Sequence, residues 1–109
     1  MFNKKSDNGY LNPLKGIRQK TLVHGEKTLM TEFKLDKGSE VPRHRHPYEQ
    51  TGYLIKGKMR LFTETGQFEC NPGDSWCISS DEEHGAEVIE DSLAVEVFSP
   101  VREDYLPNT

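Results

Sequence analysis

Between residues 28 and 98 the chain never runs far without a turn residue, and that punctuation limits the folds open to it. Lys37-Gly38, Lys56-Gly57-Lys58, Gly66 and Asn71-Pro72-Gly73-Asp74 cut the segment into runs too short for an ordinary helix. The runs alternate instead. Leu29, Thr31, Phe33 and Leu35 share one side while Met30, Glu32 and Lys34 share the other, the period of two of a half-buried strand. Residues 53–55, 59–63, 67–70, 75–78, 86–89 and 93–98 read as further strands, with loops at 79–84 and 90–92. No stretch shows an apolar stripe at 3.6-residue spacing. The pattern predicts an all-β fold, a barrel or a sandwich.

Residues 1 to about 25 carry Asn, Lys, Gly and Pro among scattered apolar residues and read as an N-terminal arm with one or two short strands. Residues 28–98 form the expected barrel and 99–109 a C-terminal tail, all within one domain of 109 residues. Only 33% of the residues are hydrophobic and the mean hydropathy is -0.78, so the core is small. An apolar face left over by so small a domain is best covered by a second copy, and a homodimer is expected. The net charge is -4, with 14 Lys and Arg against 18 Asp and Glu and no basic stripe, which argues against nucleic acid or an anionic membrane as partner. No apolar run approaches a membrane span, and a cytoplasmic location is expected. Cys70 and Cys77 then read as thiols, and they lack the paired C-x-x-C spacing of a structural zinc site.

The chemistry concentrates in His44-Arg45-His46, followed by Gln50 and later by His84. Two histidines two apart on an extended segment project from the same side, so both rings can reach one ion. Pro42 and Pro47 bracket the pair and disfavour a helix. Three imidazoles and one amide oxygen make a suitable inner shell for a single divalent metal. Gln50 is the weaker member and could instead support a ligand from outside the shell. Imidazole suits Zn, Ni, Fe and Cu and, with oxygen ligands, Mn, so one divalent transition metal (Ni, Zn, Mn or Fe) is expected without a choice among them. His24 stands apart and reads as an ordinary surface histidine.

The order of these motifs resembles the cupin superfamily. Its first motif is matched by Gly38, His44, His46, Gln50 where Glu is usual, and Gly57; its second by Gly66, Pro72-Gly73-Asp74 and His84. The resemblance covers residues 28–98 and implies a double-stranded β-helix, or jelly-roll, barrel with a metal in its mouth. Gln in place of Glu would leave the full dipositive charge of the ion, which draws an anionic group such as a carboxylate or enolate more strongly.

A narrower resemblance joins H-R-H-P-Y-E-Q-T-G-Y to the later E-D-S-L-A-V-E-V-F-S-P-V-R-E-D-Y-L. It is to the small cupins of pectin and alginate breakdown, the KdgF type, which convert 4,5-unsaturated uronates into linear ketonised forms. This implies His44, His46, Gln50 and His84 as metal ligands, and Glu96, Phe98 and Arg102 as catalytic residues acting on a small anionic sugar. The acid is usually Asp in that group, and one extra methylene moves a carboxylate by about 1 Å, enough to matter for catalysis.

Read from the strand alone, Ala94, Glu96 and Phe98 face one way and Leu93, Val95 and Val97 the other. If the even set lines the cavity, burial raises the Glu96 pKa and suits it to proton transfer; the alternative turns it to solvent. Phe98 is then pocket wall or plain core. Arg102 is either a carboxylate clamp or the partner of Glu103 or Asp104. Trp76 and Tyr53 read as core or wall, and Asp81-Glu82-Glu83 as a solvated loop. Two further functions stay open: another metal-dependent cupin enzyme, an oxygenase or isomerase, and a non-catalytic sugar- or effector-binding cupin.

Overall fold

The computed structural model describes residues 1–106, so the last three residues of the 99–109 tail lie outside the described residues. Eight strands follow in chain order: β1 (Leu11–Leu14), β2 (Ile17–His24), β3 (Leu29–Leu35), β4 (Glu40–His44), β5 (Glu49–Thr63), β6 (Gly66–Cys70), β7 (Ser75–Ile78) and β8 (His84–Ser99). A single 3-10 turn, Glu103–Tyr105, closes the described chain. All pairings are antiparallel.

The long strands β5 and β8 lie side by side and pass through both halves of the barrel. The late part of β8 pairs with β3 on one edge and with the early part of β5 on the other. Its early part pairs with β4 and with the late part of β5. β1 and β2 extend the first half beyond β3, β7 pairs with early β5, and β6 pairs with late β5. This is the jelly-roll barrel of the cupin pattern, with the core between its two halves. Ile17, Leu35, Leu54, Leu61, Ile78 and Val88 are among its buried residues.

The corner where both long strands bend differs from the sequence expectation. Lys56-Gly57-Lys58 is not a turn that ends a strand, and 90–92 is not a loop; both lie inside continuous strands, where the register slips. Gly57 has φ 97°, and a Cβ there would lie 2.2 Å from Ser92 Oγ and 2.4 Å from the Asp91 carbonyl. Glycine is required on both counts. Ser92 staples the corner, accepting from the Lys58 N–H at 3.0 Å and donating to the Glu90 carbonyl at 2.7 Å.

The strand expected at 53–55 begins earlier, at Glu49, so that it carries Gln50 into the sheet. The N-terminal segment carries two strands, β1 and β2, in line with the one or two expected there, and β2 pairs along β3 and buries Ile17 and Gln19. The 71–74 turn forms as read: Gly73 has φ 95°, and Asn71 N–H donates to the Asp74 carboxylate at 2.8 Å. Cys70 is buried and Cys77 exposed, both as free thiols. Among the described residues no helix is long and apolar enough to cross a membrane.

Candidate metal centre and active site

The end of β4, the loop after it and the start of β8 bring His44, His46 and His84 together. Their candidate ligand atoms all lie within 4.8 Å of one another. Each ring is oriented from behind by a backbone carbonyl. Nδ1 of His44 lies 2.9 Å from Pro42 O, that of His46 3.0 Å from Tyr48 O, and that of His84 2.8 Å from Glu82 O. A carbonyl can only accept, so each Nδ1 carries the hydrogen and each Nε2 presents its lone pair. Backbone oxygens behind the ligands are the support that metal-binding histidines ordinarily have.

The residues fit a metal on a second count. His46 Nε2 is buried and has no hydrogen-bond partner among the described residues, a position costly to leave empty-handed. Burial, then the Arg102 charge, holds the His46 pKa below the usual histidine value. Burial does the same for His84. Both shifts favour the neutral ring, the form that ligates. The three histidines could hold a metal ion.

The loop expected to be merely solvated has structural work. The Glu82 carboxylate accepts from Ser79 N–H at 3.0 Å and Glu64 N–H at 3.3 Å. Asp81 N–H donates to His46 O at 2.8 Å, and Ser80 Oγ to Pro47 O at 2.6 Å. The last two bonds tie the loop before His84 to the loop that carries His46.

A cavity of ≈ 100 Å³ runs from the histidines into the barrel. Gln50, Trp76, Glu96, Phe98, Arg102 and Tyr105 also line it. The even set of β8 therefore faces inward: Ala94 and Phe98 are buried, and the half-buried Glu96 borders the cavity. Its carboxylate lies deep in the protein, and burial raises its pKa above the ordinary carboxylate range. Hydrogen bonds from Trp76 and Gln50, and the Arg102 charge, oppose the rise. Gln50 Nε2 donates to Glu96 Oε1 at 2.9 Å, and Trp76 Nε1 donates to the same oxygen at 2.8 Å. The Gln50 carbonyl oxygen makes no hydrogen bond among the described residues.

Of the two sequence readings of Arg102, the pairing with Asp104 forms, through Nη2 at 2.8 Å and Nε at 3.3 Å, and the side chain also borders the cavity. Its guanidinium lies 3.8 Å from the Tyr105 ring centre, 4.9 Å from Phe98 and 5.1 Å from Tyr48. Aromatic faces on several sides hold it in one orientation. Trp76, Tyr48 and Tyr105 were not distinguishable from core or rim residues in the sequence. The signal available for Trp76 was a glycine, Gly52, inside the strand it pairs with.

A wider cleft of ≈ 980 Å³ lies between the N-terminal arm and the outer face of β2 and β3. It contains none of the histidines. Tyr10 crosses it, hydrogen-bonded to Glu32 and stacked under Lys34.

The family model described as "Cupin domain" matches residues 31–100. The chain belongs to the cupin family. This cupin is similar to KdgF from Halomonas sp., with 29% identity, a TM-score of 0.91, and coverage of 97% of this chain and 100% of that one. An RmlC-like cupin from Shewanella frigidimarina has 23% identity and a TM-score of 0.90, covering 96% and 95%. The polyketide cyclase RemF from Streptomyces resistomycificus has 21% identity and a TM-score of 0.76, covering 96% and 90%. The last two share the fold. No functionally curated protein matches the sequence at significance.

Proposed function

We propose that this cupin is a metal-dependent enzyme that opens and ketonises 4,5-unsaturated uronates. One observation carries the reading: the cavity that holds three histidines also encloses a carboxylate, Glu96, and is bordered by a guanidinium, Arg102. The likeness to a KdgF along nearly the whole chain supports it. A divalent ion held by His44, His46 and His84, with the Gln50 carbonyl oxygen as fourth ligand, supplies positive charge for an anionic oxygen of the sugar.

The protein's own groups do the rest. Arg102, braced by Asp104 and Tyr105, binds the sugar carboxylate. Phe98 walls the cavity and limits water around the reacting atoms. Glu96 takes the proton of the anomeric hydroxyl as the bond from C1 to the ring oxygen breaks, and the ring oxygen leaves as an enolate. The proton returns at C4, which turns the enolate into a ketone. Product and substrate are isomers, so one acid–base group that accepts and returns a proton suffices. A carboxyl with a raised pKa exchanges protons more readily near neutral pH than an ordinary one.

Following the loss of absorbance of the unsaturated uronate with metal-loaded protein tests this reading. Glu96→Gln should lower kcat by roughly 10²- to 10⁴-fold, and Arg102→Lys should raise KM by roughly 10-fold or more. A wild-type rate no faster than the spontaneous reaction would overturn it.

We also propose a homodimer, formed through the outer face of the β3–β8–β5 sheet. Met30, Tyr53 and Ile55 are 36%, 50% and 45% exposed there. Val95 and Val97 lie between them in register.

A further inference from the structure

Gly52 sits in the middle of β5, and backbone conformation does not account for it: the residue is buried, in a regular strand and outside the left-handed region. Space does. A Cβ at this position would lie 2.2 Å from Cε2, 2.3 Å from Nε1 and 2.5 Å from Cζ2 of Trp76. Pairing places Trp76 directly opposite Gly52 on β7, and Glu96 directly opposite it on β8. Three residues thus stand in one line across three neighbouring strands, and the central one has no side chain. The indole passes over that gap and reaches an acid two strands away, donating to Glu96 Oε1 at 2.8 Å.

The second donor makes the arrangement directional. Gln50 Nε2 donates to the same Oε1 at 2.9 Å, whereas Oε2 makes no hydrogen bond among the described residues. An oxygen that accepts from two N–H groups is a poor place for a proton, since a hydroxyl hydrogen there would compete for the same lone pairs. The unengaged oxygen is left to carry it.

We propose that Trp76 is a positioning residue: its indole N–H, admitted by Gly52 and joined by the Gln50 amide, pins Oε1 of Glu96 so that Oε2 is the atom that accepts and returns the substrate proton. The reaction part of this assignment rests on the uronate reading; the pinning itself does not. Trp76 touches neither substrate nor metal in this scheme and acts only through Glu96.

The test uses the metal-loaded protein labelled with ¹⁵N. The chain has one tryptophan, so one indole N–H resonance reports the contact without assignment. That resonance should lie downfield of a free indole and exchange slowly with solvent. Glu96→Met, which removes the acceptor at similar length, and Gly52→Ala, which displaces the ring but keeps it, should each shift it upfield and speed its exchange. With unsaturated uronate, Trp76→Phe should lower kcat roughly 10- to 100-fold and leave KM within about twofold. Gly52→Ala should lower kcat in the same direction with the indole still present, which keeps the test independent of whether Trp76→Phe folds. An indole resonance at the free position, or unmoved by Glu96→Met, overturns the proposal, as does Trp76→Phe with wild-type kcat. If the wild type turns over no unsaturated uronate, the uronate reading fails and the indole resonance alone decides the pinning.

Discussion

Replacing His46 with leucine separates two effects that the wild-type side chain combines. Without metal, His46 brings a buried, unpartnered Nε2 into the fold, which costs about 1–3 kcal/mol. It recovers about 1 kcal/mol through its Nδ1–H bond to the Tyr48 carbonyl at 3.0 Å. Leucine gives up both and keeps apolar contact toward the Phe98 ring, whose centre lies 5.9 Å from that of His46. In the presence of a chelator, His46→Leu should therefore be as stable as the wild type or up to about 2 kcal/mol more stable, a gain of at most roughly 16 °C in Tm for a domain of this size. Metal reverses the comparison. At a free concentration one hundred times its Kd, an ion that binds only the folded state adds about 2.7 kcal/mol, or roughly 10–20 °C. The variant lacks one of three imidazoles and should gain little of this. Thermal unfolding at pH 7.5, with EDTA and then with Ni, Zn, Mn or Fe(II), reads out all four states. A chelated variant destabilised by more than about 3 kcal/mol would mean that Nε2 is satisfied inside the protein. A wild-type Tm that none of the four ions moves would refute the metal centre.

Glu96→Gln should stabilise the protein increasingly as pH rises. Burial raises the Glu96 pKa, so the folded state holds a proton that the unfolded chain has already released; stability is lost as pH rises from the ordinary Glu value through the raised one. Glutamine has no proton to lose, and urea unfolding at pH 4 and pH 8 should show a variant–wild-type difference larger at pH 8; a difference constant with pH would contradict the burial argument. For the dimer, light scattering should give twice the chain mass for the wild type and the monomer mass for Tyr53→Lys, because an ammonium in the middle of an apolar contact is left without water or partner. A monomeric wild type at high concentration would dismiss that face as an interface.

The N-terminal strand β2 and the bend in the long strands show where sequence reading ran short. Alternation predicted β3 because one of its faces is core and the other is polar, and that difference is written residue by residue. β2 has no such alternation: after Ile17 and Gln19 its burial is intermediate throughout, because it lies near the edge of the sheet. Gly57 looked like the end of a strand because a left-handed glycine in isolation reads as a turn. The partner that makes it a bend, Ser92, lies far along the chain.

What the sequence by itself determined was the kind of fold and the set of residues able to hold an ion. Short alternating runs with glycine and proline turns specify strands, since local backbone preference and side-chain period are properties of neighbouring residues. His-x-His after a proline, with a third histidine, restricts the chemistry for the same reason: few residue types offer lone pairs to an ion. Tertiary structure decided which side chains share a space. The convergence of His84 with His44 and His46, the inward turn of Glu96, and the line from Trp76 over Gly52 to Glu96 all depend on register between strands distant in the chain. Register is set by the sum of many weak pairings along β5 and β8, and no short stretch of sequence contains that sum.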